Sequence, residues 1–255
     1  MRLRVLGCAG SFPSATSAAS GYLVTAEDAH ARTWQVVLDL GSGALGPLQR
    51  WADPTTLDMV AITHLHADHC ADLAVLDVVR RYRHDGPCPP LDVWGPEGTA
   101  ERITALIGKP TSAFDVHTWQ PDTPVVVGPL VITPVPVDHS VTAFGIRVVG
   151  PSQFDPTRQV TVSYTGDTDE GPGLDALAHG ADVLLAEAGF ADDDAPRGIH
   201  LTATRAANAA RSGGARRVLL THIAPWDDPH QALADARKSY DGPVDLAAPG
   251  MLVVV

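Results

Sequence analysis

Short apolar runs, each closed by glycine, proline or a polar cluster, recur along the chain, and several are followed by stretches of helical periodicity. Residues 2–7, 21–25, 34–40 and 57–63 read as strands. Residues 68–83 then read as one helix, with apolar positions at Leu73, Leu76, Val79 and Tyr82. A strand at 91–94 and a helix at 96–108, with Pro96 near its start, complete the first half. In the second half, strands are predicted at 125–127, 130–137, 143–149, 159–164, 183–186, 218–221 and 252–255. Helices are predicted at 174–179, 203–212 and 229–240, the second of them closed by Gly213-Gly214. Strands precede helices in both halves. That order favours an α/β fold in which two sheets pack face to face with helices outside, and 255 residues suit one such domain over the whole chain.

Composition narrows the setting. Apolar residues make up 45% of the chain, yet no run of them approaches the length of a membrane span, so no membrane association is expected. The net charge of −12 opposes a protein that grips nucleic acid by neutralising phosphates. Three cysteines, Cys8, Cys70 and Cys88, form no CxxC pair, which gives neither a disulfide framework nor a thiolate zinc site and makes a reducing cytoplasm the simplest location. Val5-Leu6-Gly7-Cys8 has the look of a lipoprotein cleavage box, but the apolar run before it is too short for a signal peptide.

Candidate chemistry is concentrated in Thr63-His64-Leu65-His66-Ala67-Asp68-His69, directly after an apolar run. His64 and His66, two apart, leave an extended segment on the same side, while Asp68 and His69 open the following helix and can face a second point nearby. Imidazole and carboxylate are zinc ligands, and polar groups at this density beside a buried strand need a partner such as a metal. Further candidates stand at the ends of other apolar runs: His139 after Pro136-Val137-Asp138, Asp167 in Thr165-Gly166-Asp167, and His222 after Leu219-Leu220-Thr221.

In order and local context, His64, His66, Asp68, His69, His139, Asp167 and His222 resemble the dinuclear motif of the metallo-β-lactamase superfamily, a likeness spanning nearly the whole chain. Leu38-Asp39-Leu40-Gly41 is similar to that superfamily's first motif, whose Asp stands behind the ligands. The resemblance implies a four-layer αββα sandwich with the metals at one edge of the sheets. It implies two divalent ions per chain, zinc or alternatively manganese. His64, His66 and His139 would hold one ion, Asp68, His69 and His222 the other, and Asp167 would bridge them. Asp68 is also a candidate proton acceptor, and a homodimer is implied as well.

Fold and ligands do not select a substrate. Glu187, after an apolar run, and His200, before a helix, resemble the Glu and His of the phosphodiesterase branch that includes ribonuclease Z, the transfer-RNA 3′-processing endonuclease. There the carboxylate orients the imidazole, which donates a proton to the leaving oxygen. Ala186 and Gly189 depart from that branch's usual motif. The endonucleases carry a long arm between the ligands matching His139 and Asp167, and here these residues are only 28 apart. Compact, armless actinobacterial-type cyclic nucleotide phosphodiesterases are a nearer likeness. The stretches that carry it are Val5–Ser11, Ser20–Leu23, Gly43–Arg50, Arg80-Arg81-Tyr82 and Leu220–Trp226.

That likeness implies hydrolysis of a small phosphodiester, a 3′,5′-cyclic nucleotide such as cAMP, to the 5′-monophosphate, by attack of a hydroxide held between the two ions. The alternatives are an RNA-processing endonuclease, a lactamase, thioesterase or glyoxalase-like acyl hydrolase, and a metal-binding protein without catalysis. Arg80, Arg81 and Arg83 form a basic cluster that reads as a solvated helix face in preference to a substrate contact. Trp226 either stacks on a base at the pocket mouth or packs on its own loop.

Overall fold

In the computed structural model, which describes residues 1–193 and 197–255, the apolar runs become the strands of two sheets. The first is built from β1 (Arg2–Ala9), β2 (Ala18–Ala19), β3 (Gly21–Glu27), β4 (Thr33–Leu40), β5 (Met59–Ala61), β6 (Leu91–Gly95) and β7 (Phe114–Thr118). The second contains β8 (Val125–Val127), β9 (Leu130–Val137), β10 (Ala143–Pro151), β11 (Gln159–Tyr164), β12 (Val183–Glu187), β13 (Val218–Thr221) and β14 (Val244–Leu246). The last strand, β15 (Leu252–Val254), returns to the first sheet beside β1.

Each sheet is half antiparallel and half parallel. β15, β1, β3 and β4 run antiparallel, then β4, β5, β6 and β7 run parallel. In the second sheet β8, β9, β10 and β11 are antiparallel, then β11, β12, β13 and β14 parallel. Parallel neighbours need crossovers, and helices supply them. These are α1 (Leu45–Leu48), α2 (Ala67–Cys70), α3 (Leu73–Arg81) and α4 (Thr99–Ile107) for the first sheet, and α5 (Pro172–Ala178), α6 (Ala203–Gly213) and α7 (Pro229–Ser239) for the second.

Strand alternation distributes the apolar side chains into three clusters, which define four layers. Leu3, Val5, Val36 and Leu38 meet Val148, Val162, Tyr164 and Leu185 between the sheets. Val37, Val60 and Ile62 face Leu73, Leu76 and Ile103 of the outer helices. Leu184, Ala186 and Leu220 face Ala206, Ala207 and Ala210 on the other side. This is the αββα sandwich expected from the sequence.

Several details differ from the sequence reading, which placed no element at α1, β2 or β14. The strand expected at 57–63 is shorter, because Leu57 turns to the helix-side cluster and Asp58 is held by Gln35. The single helix expected over 68–83 is broken at Ala71-Asp72. The Asp72 amide donates to Leu40 O at 3.1 Å, and its carboxylate accepts from the Gly43 and Leu45 amides at 3.0 and 2.8 Å. Tertiary bonds of one residue thus outweigh helix continuity. The helix expected from residue 96 begins only at Thr99, since Gly98 adopts a φ of 91°. Strand β7, with Asp115 and His117 among its five residues, was not expected; it sits at the sheet edge, where polar side chains are tolerated.

The basic cluster on α3 also needs correction. Arg80 is buried, and its guanidinium donates to Pro54 O at 2.9 Å and Pro89 O at 2.7 Å. Arg81 pairs with Asp77 at 3.2 Å and Arg83 with Asp85 at 3.2 Å. Arg80 is therefore a clamp on two loops, neither solvated nor available to substrate. Arg80→Ala should lower unfolding stability by about 2–3 kcal/mol, the scale of losing hydrogen bonds from a buried charged donor. A urea titration measures this; unchanged stability in the variant would refute the clamp.

Candidate metal centre

The parallel halves of both sheets end along one edge, and the candidate residues lie just beyond those carboxyl ends, where open α/β sheets present their sites. Asp39 ends β4, and the segment from His64 to His69 follows β5. Asp167, Glu187 and His222 close or follow β11, β12 and β13, and His139 follows β9. Alternation aims several of them inward. Glu187 continues the inter-sheet parity of Val183 and Leu185. At Asp39 alternation is broken: its φ of 54° sends Leu40 to the helix-side cluster and leaves the carboxylate under the site. His222 also has a left-handed φ, 55°. Strain of this kind in non-glycine residues gathers at functional sites.

The candidate ligands form two groups of donor atoms, His64, His66, His139 and Asp167, and Asp68, His69, Asp167 and His222, while a third group joins Glu187, His200 and His222; within each the atoms lie within 4.8 Å of one another. All seven residues singled out in the sequence are brought together. Asp167 faces both groups, with Oδ2 3.6 Å from His64 Nε2 and Oδ1 3.2 Å from His69 Nε2 and 3.3 Å from His222 Nε2. Asp68 Oδ2 lies 3.4 Å from His69 Nε2 and 3.2 Å from His222 Nε2.

The hydrogen bonds behind the site fix which nitrogens are bare. His69 Nδ1 donates to Asp39 Oδ2 at 2.7 Å, and His139 Nδ1 donates to Ile199 O at 2.7 Å. Both acceptors lack protons, so in the neutral rings Nε2 carries a lone pair. Those lone pairs then point at other ligand atoms. His69 Nε2 is 3.3 Å from His222 Nε2, and His139 Nε2 is 3.3 Å from His66 Nδ1. Asp167 Oδ1, although buried, has no hydrogen-bond partner. Donors converging on donors repel unless a cation lies among them, so the residues present fit two divalent ions.

The low proton affinities of His64 and His66 agree with this, whereas His69 keeps its second proton until a cation displaces it. Burial, reinforced by neighbouring histidines, holds His64 and His66 below the usual histidine range and favours the neutral ring a metal would need. Burial opposes ionisation of Asp167, yet His222, His69 and His64 outweigh it and keep the carboxyl well below its usual range. For His69 burial pulls down, while Asp167 and Asp39 pull harder and raise it well above the usual value.

Asp39 is the hub beneath the site. Besides His69 it accepts from Thr63 N and Thr63 Oγ1, each at 2.8 Å, and from Tyr164 OH at 2.9 Å. Thr63 and Tyr164 were missed by sequence reasoning; Tyr164 sits at an inward position of β11, and that parity was the available signal. Beside the donors lies the pair Glu187–His200, with Oε1 2.9 Å from Nδ1. Thr168 N and Gly189 N, each at 2.8 Å, hold the two oxygens of Glu187. A Cβ on residue 189 would stand 2.9 Å from Glu187 Oε2 and 3.0 Å from His200 Cγ, so this chain's departure from the usual motif makes room for the pair.

A profile of the Beta-lactamase superfamily domain matches residues 35–223, which include both donor groups. The chain belongs to the beta-lactamase superfamily. Within that superfamily it is 40% identical to the uncharacterized protein ML1173 of Mycobacterium leprae, covering 98% of this chain and 87% of the relative. It is 29% identical to the probable metallo-hydrolase YhfI of Bacillus subtilis over 99% of both chains. The crystal structure of YhfI superposes with a TM-score of 0.86 at 27% identity, covering 99% of this chain and 98% of that one. Ribonuclease Z of Myxococcus xanthus is 28% identical, covering 99% of this chain and 97% of the relative, in an alignment of 308 positions that exceeds the 255 residues here. This superfamily member is a metal-dependent hydrolase related to ribonuclease Z. Among the described residues no helix is long and apolar enough to cross a membrane.

Metal uptake should release protons, because His69 must surrender one before its nitrogen can ligate. Apparent affinity should then fall as pH falls, and calorimetry in two buffers of different ionisation enthalpy measures the protons released; identical heats would contradict it. Asp39→Ala should weaken metal binding by roughly 10–100-fold, the usual cost of losing a partner that orients a ligating histidine. Metal analysis after dialysis against a graded chelator checks this.

Proposed function

We propose that this hydrolase is a phosphodiesterase of small substrates, opening a 3′,5′-cyclic nucleotide such as cAMP to the 5′-monophosphate, with zinc held by His64, His66, His139, Asp68, His69, His222 and the shared Asp167. The observation that carries the reading is the Glu187–His200 pair beside the donor groups. When bound, two such ions supply a nucleophile from water at neutral pH and neutralise charge on a phosphoryl group.

The chain's own residues do the rest. Glu187 engages His200 Nδ1 and leaves Nε2 to carry the transferable proton. Burial lowers the proton affinity of His200, but the bond to Glu187 and the charges of Glu187 and Asp167 prevail and raise its pKa to about 9. With no ion in the donor groups His200 is then an imidazolium at neutral pH, the protonated form that a general acid needs. As the nucleophile bonds to phosphorus, the bond from phosphorus to the 3′ oxygen would break, and His200 would give that oxygen its proton.

Surface charge supports a small substrate over a polymer. A hollow beside the pair, about 450 Å³, is lined by five aspartates, Asp192, Asp193, Asp227, Asp228 and Asp235, against one cation, Lys238, together with Phe190, whose ring lies 5.0 Å from that of His200. A polyanionic RNA meets repulsion there, whereas a cyclic nucleotide carries a single charge. The interval from His139 to Asp167 holds only β10 and β11, with no room for an arm. The relatives named ribonuclease Z favour RNA processing as the second reading.

Purified, metal-analysed protein should turn over both bis-p-nitrophenyl phosphate and cAMP and leave nitrocefin intact. Cleavage of the chromogenic diester without cAMP would overturn the cyclic nucleotide, and nitrocefin turnover alone would overturn the phosphodiesterase. His200→Ala should slow turnover by about 10²–10⁴-fold, the range for a lost general acid, with both metals retained. Glu187→Gln removes the charge that stabilises the imidazolium, so the alkaline limb of the rate profile should move to lower pH.

A further inference from the structure

Phe12 and Trp226 are large aromatic side chains left 42% and 70% exposed, and they touch each other, with ring centroids 5.2 Å apart and planes tilted by 39°. Both stand on loops fastened to the candidate ligand His222. On one side the His222 amide donates to Cys8 O at 3.0 Å and the Gly10 amide to Ile223 O at 3.1 Å. The next amide, Ser11 N, approaches His222 Nε2 at 3.4 Å, and the Ser11 φ of 62° turns the chain so that Phe12 projects beyond it. On the other side the Asp227 amide donates to Ala224 O at 2.9 Å, closing a turn that holds Trp226 four residues past His222.

Apolar rings of this size are normally buried, and an exposed pair fixed by tight turns has already lost the backbone freedom that binding would otherwise cost. One of the two residues, Phe12, is a single step, about 3.8 Å of chain, from Ser11, whose amide touches the candidate donor cluster at His222. A phosphodiester seated on that cluster would carry its remaining substituent out over this rim. We infer that Phe12 and Trp226 form the platform on which the planar base of the nucleotide stacks, an inference that rests on the phosphodiesterase reading above. The two rings already touch, so the open face of Trp226 receives the base and Phe12 supports the indole from behind. Stacking of this type tolerates different bases, since every base has a π-face.

Product inhibition separates the platform from the metal centre. In Trp226→Ala the inhibition constant for 5′-AMP, and the KM for cAMP, should rise roughly 5- to 100-fold, the usual effect of removing one stacking ring. Phe12→Ala should raise both in the same direction, and Trp226→Phe should restore most of the affinity. Inhibition by ribose 5-phosphate, which has the phosphate and sugar but no base, should not change in any of the three. Equal losses for both inhibitors, or no loss for either, would overturn the platform. So would a Trp226→Ala protein whose only change, by light scattering, is in oligomeric state, because the rings would then serve contact with a second copy. If the wild-type protein neither hydrolyses cAMP nor binds 5′-AMP, the phosphodiesterase reading falls and the platform with it. Wild-type turnover with indifferent variants removes the platform alone.

Discussion

Everything at the edge of this sandwich follows from crowding imidazole nitrogens and carboxylate oxygens of two packed sheets around two points. Seven side chains from both sheets converge on two points, and hydrogen bonds at Nδ1 of His69 and His139 turn their Nε2 atoms inward. Such an arrangement is unfavourable by itself. The packing of two sheets behind it holds it in place, and cations remove the repulsion. The left-handed backbone at Asp39 and His222 belongs to the same constraint, since regular alternation would aim Asp39 toward the helices.

Much of this was legible in the residues. The spacing of His64, His66, Asp68 and His69 after an apolar run announces a metal site, because a strand end is where alternate side chains can be gathered. The other ligands stood in the same context, and the structure brings them to the same edge. Less legible were features decided by distant partners. Asp72 interrupts a good helical pattern because its bonds to residues 40, 43 and 45 exist only after folding. Arg80 sits on an amphipathic helix where charge normally means solvent, and the carbonyls that bury it come from two separate loops. Phe12 has no local signal at all, and only its contact with Trp226 gives it meaning.

Selectivity in such a site belongs to its rim. On the phosphodiesterase reading proposed above, the donor set would handle a phosphoryl group of any origin, so what distinguishes one diester from another would lie outside it. Here the surroundings include a hollow rich in aspartates and an exposed aromatic pair. The acidic hollow opposes chains of phosphates, and the aromatic pair offers a surface for a single flat group. The same strand-end chemistry could serve a polymer if the rim were basic.

The distribution of the ligands between the layers has a mechanical meaning. His64, His66, Asp68 and His69 belong to the first sheet, and His139, Asp167 and His222 to the second. Each proposed ion therefore rivets one layer to the other at the open edge, while the apolar cluster between the sheets does so in the middle. Binding energy at the rivets adds to the cohesion of the halves in proportion to the logarithm of free metal. Starving the protein of metal would thus be felt first as a parting of its two sheets at that edge, with the chemistry lost as one symptom of a loosened seam.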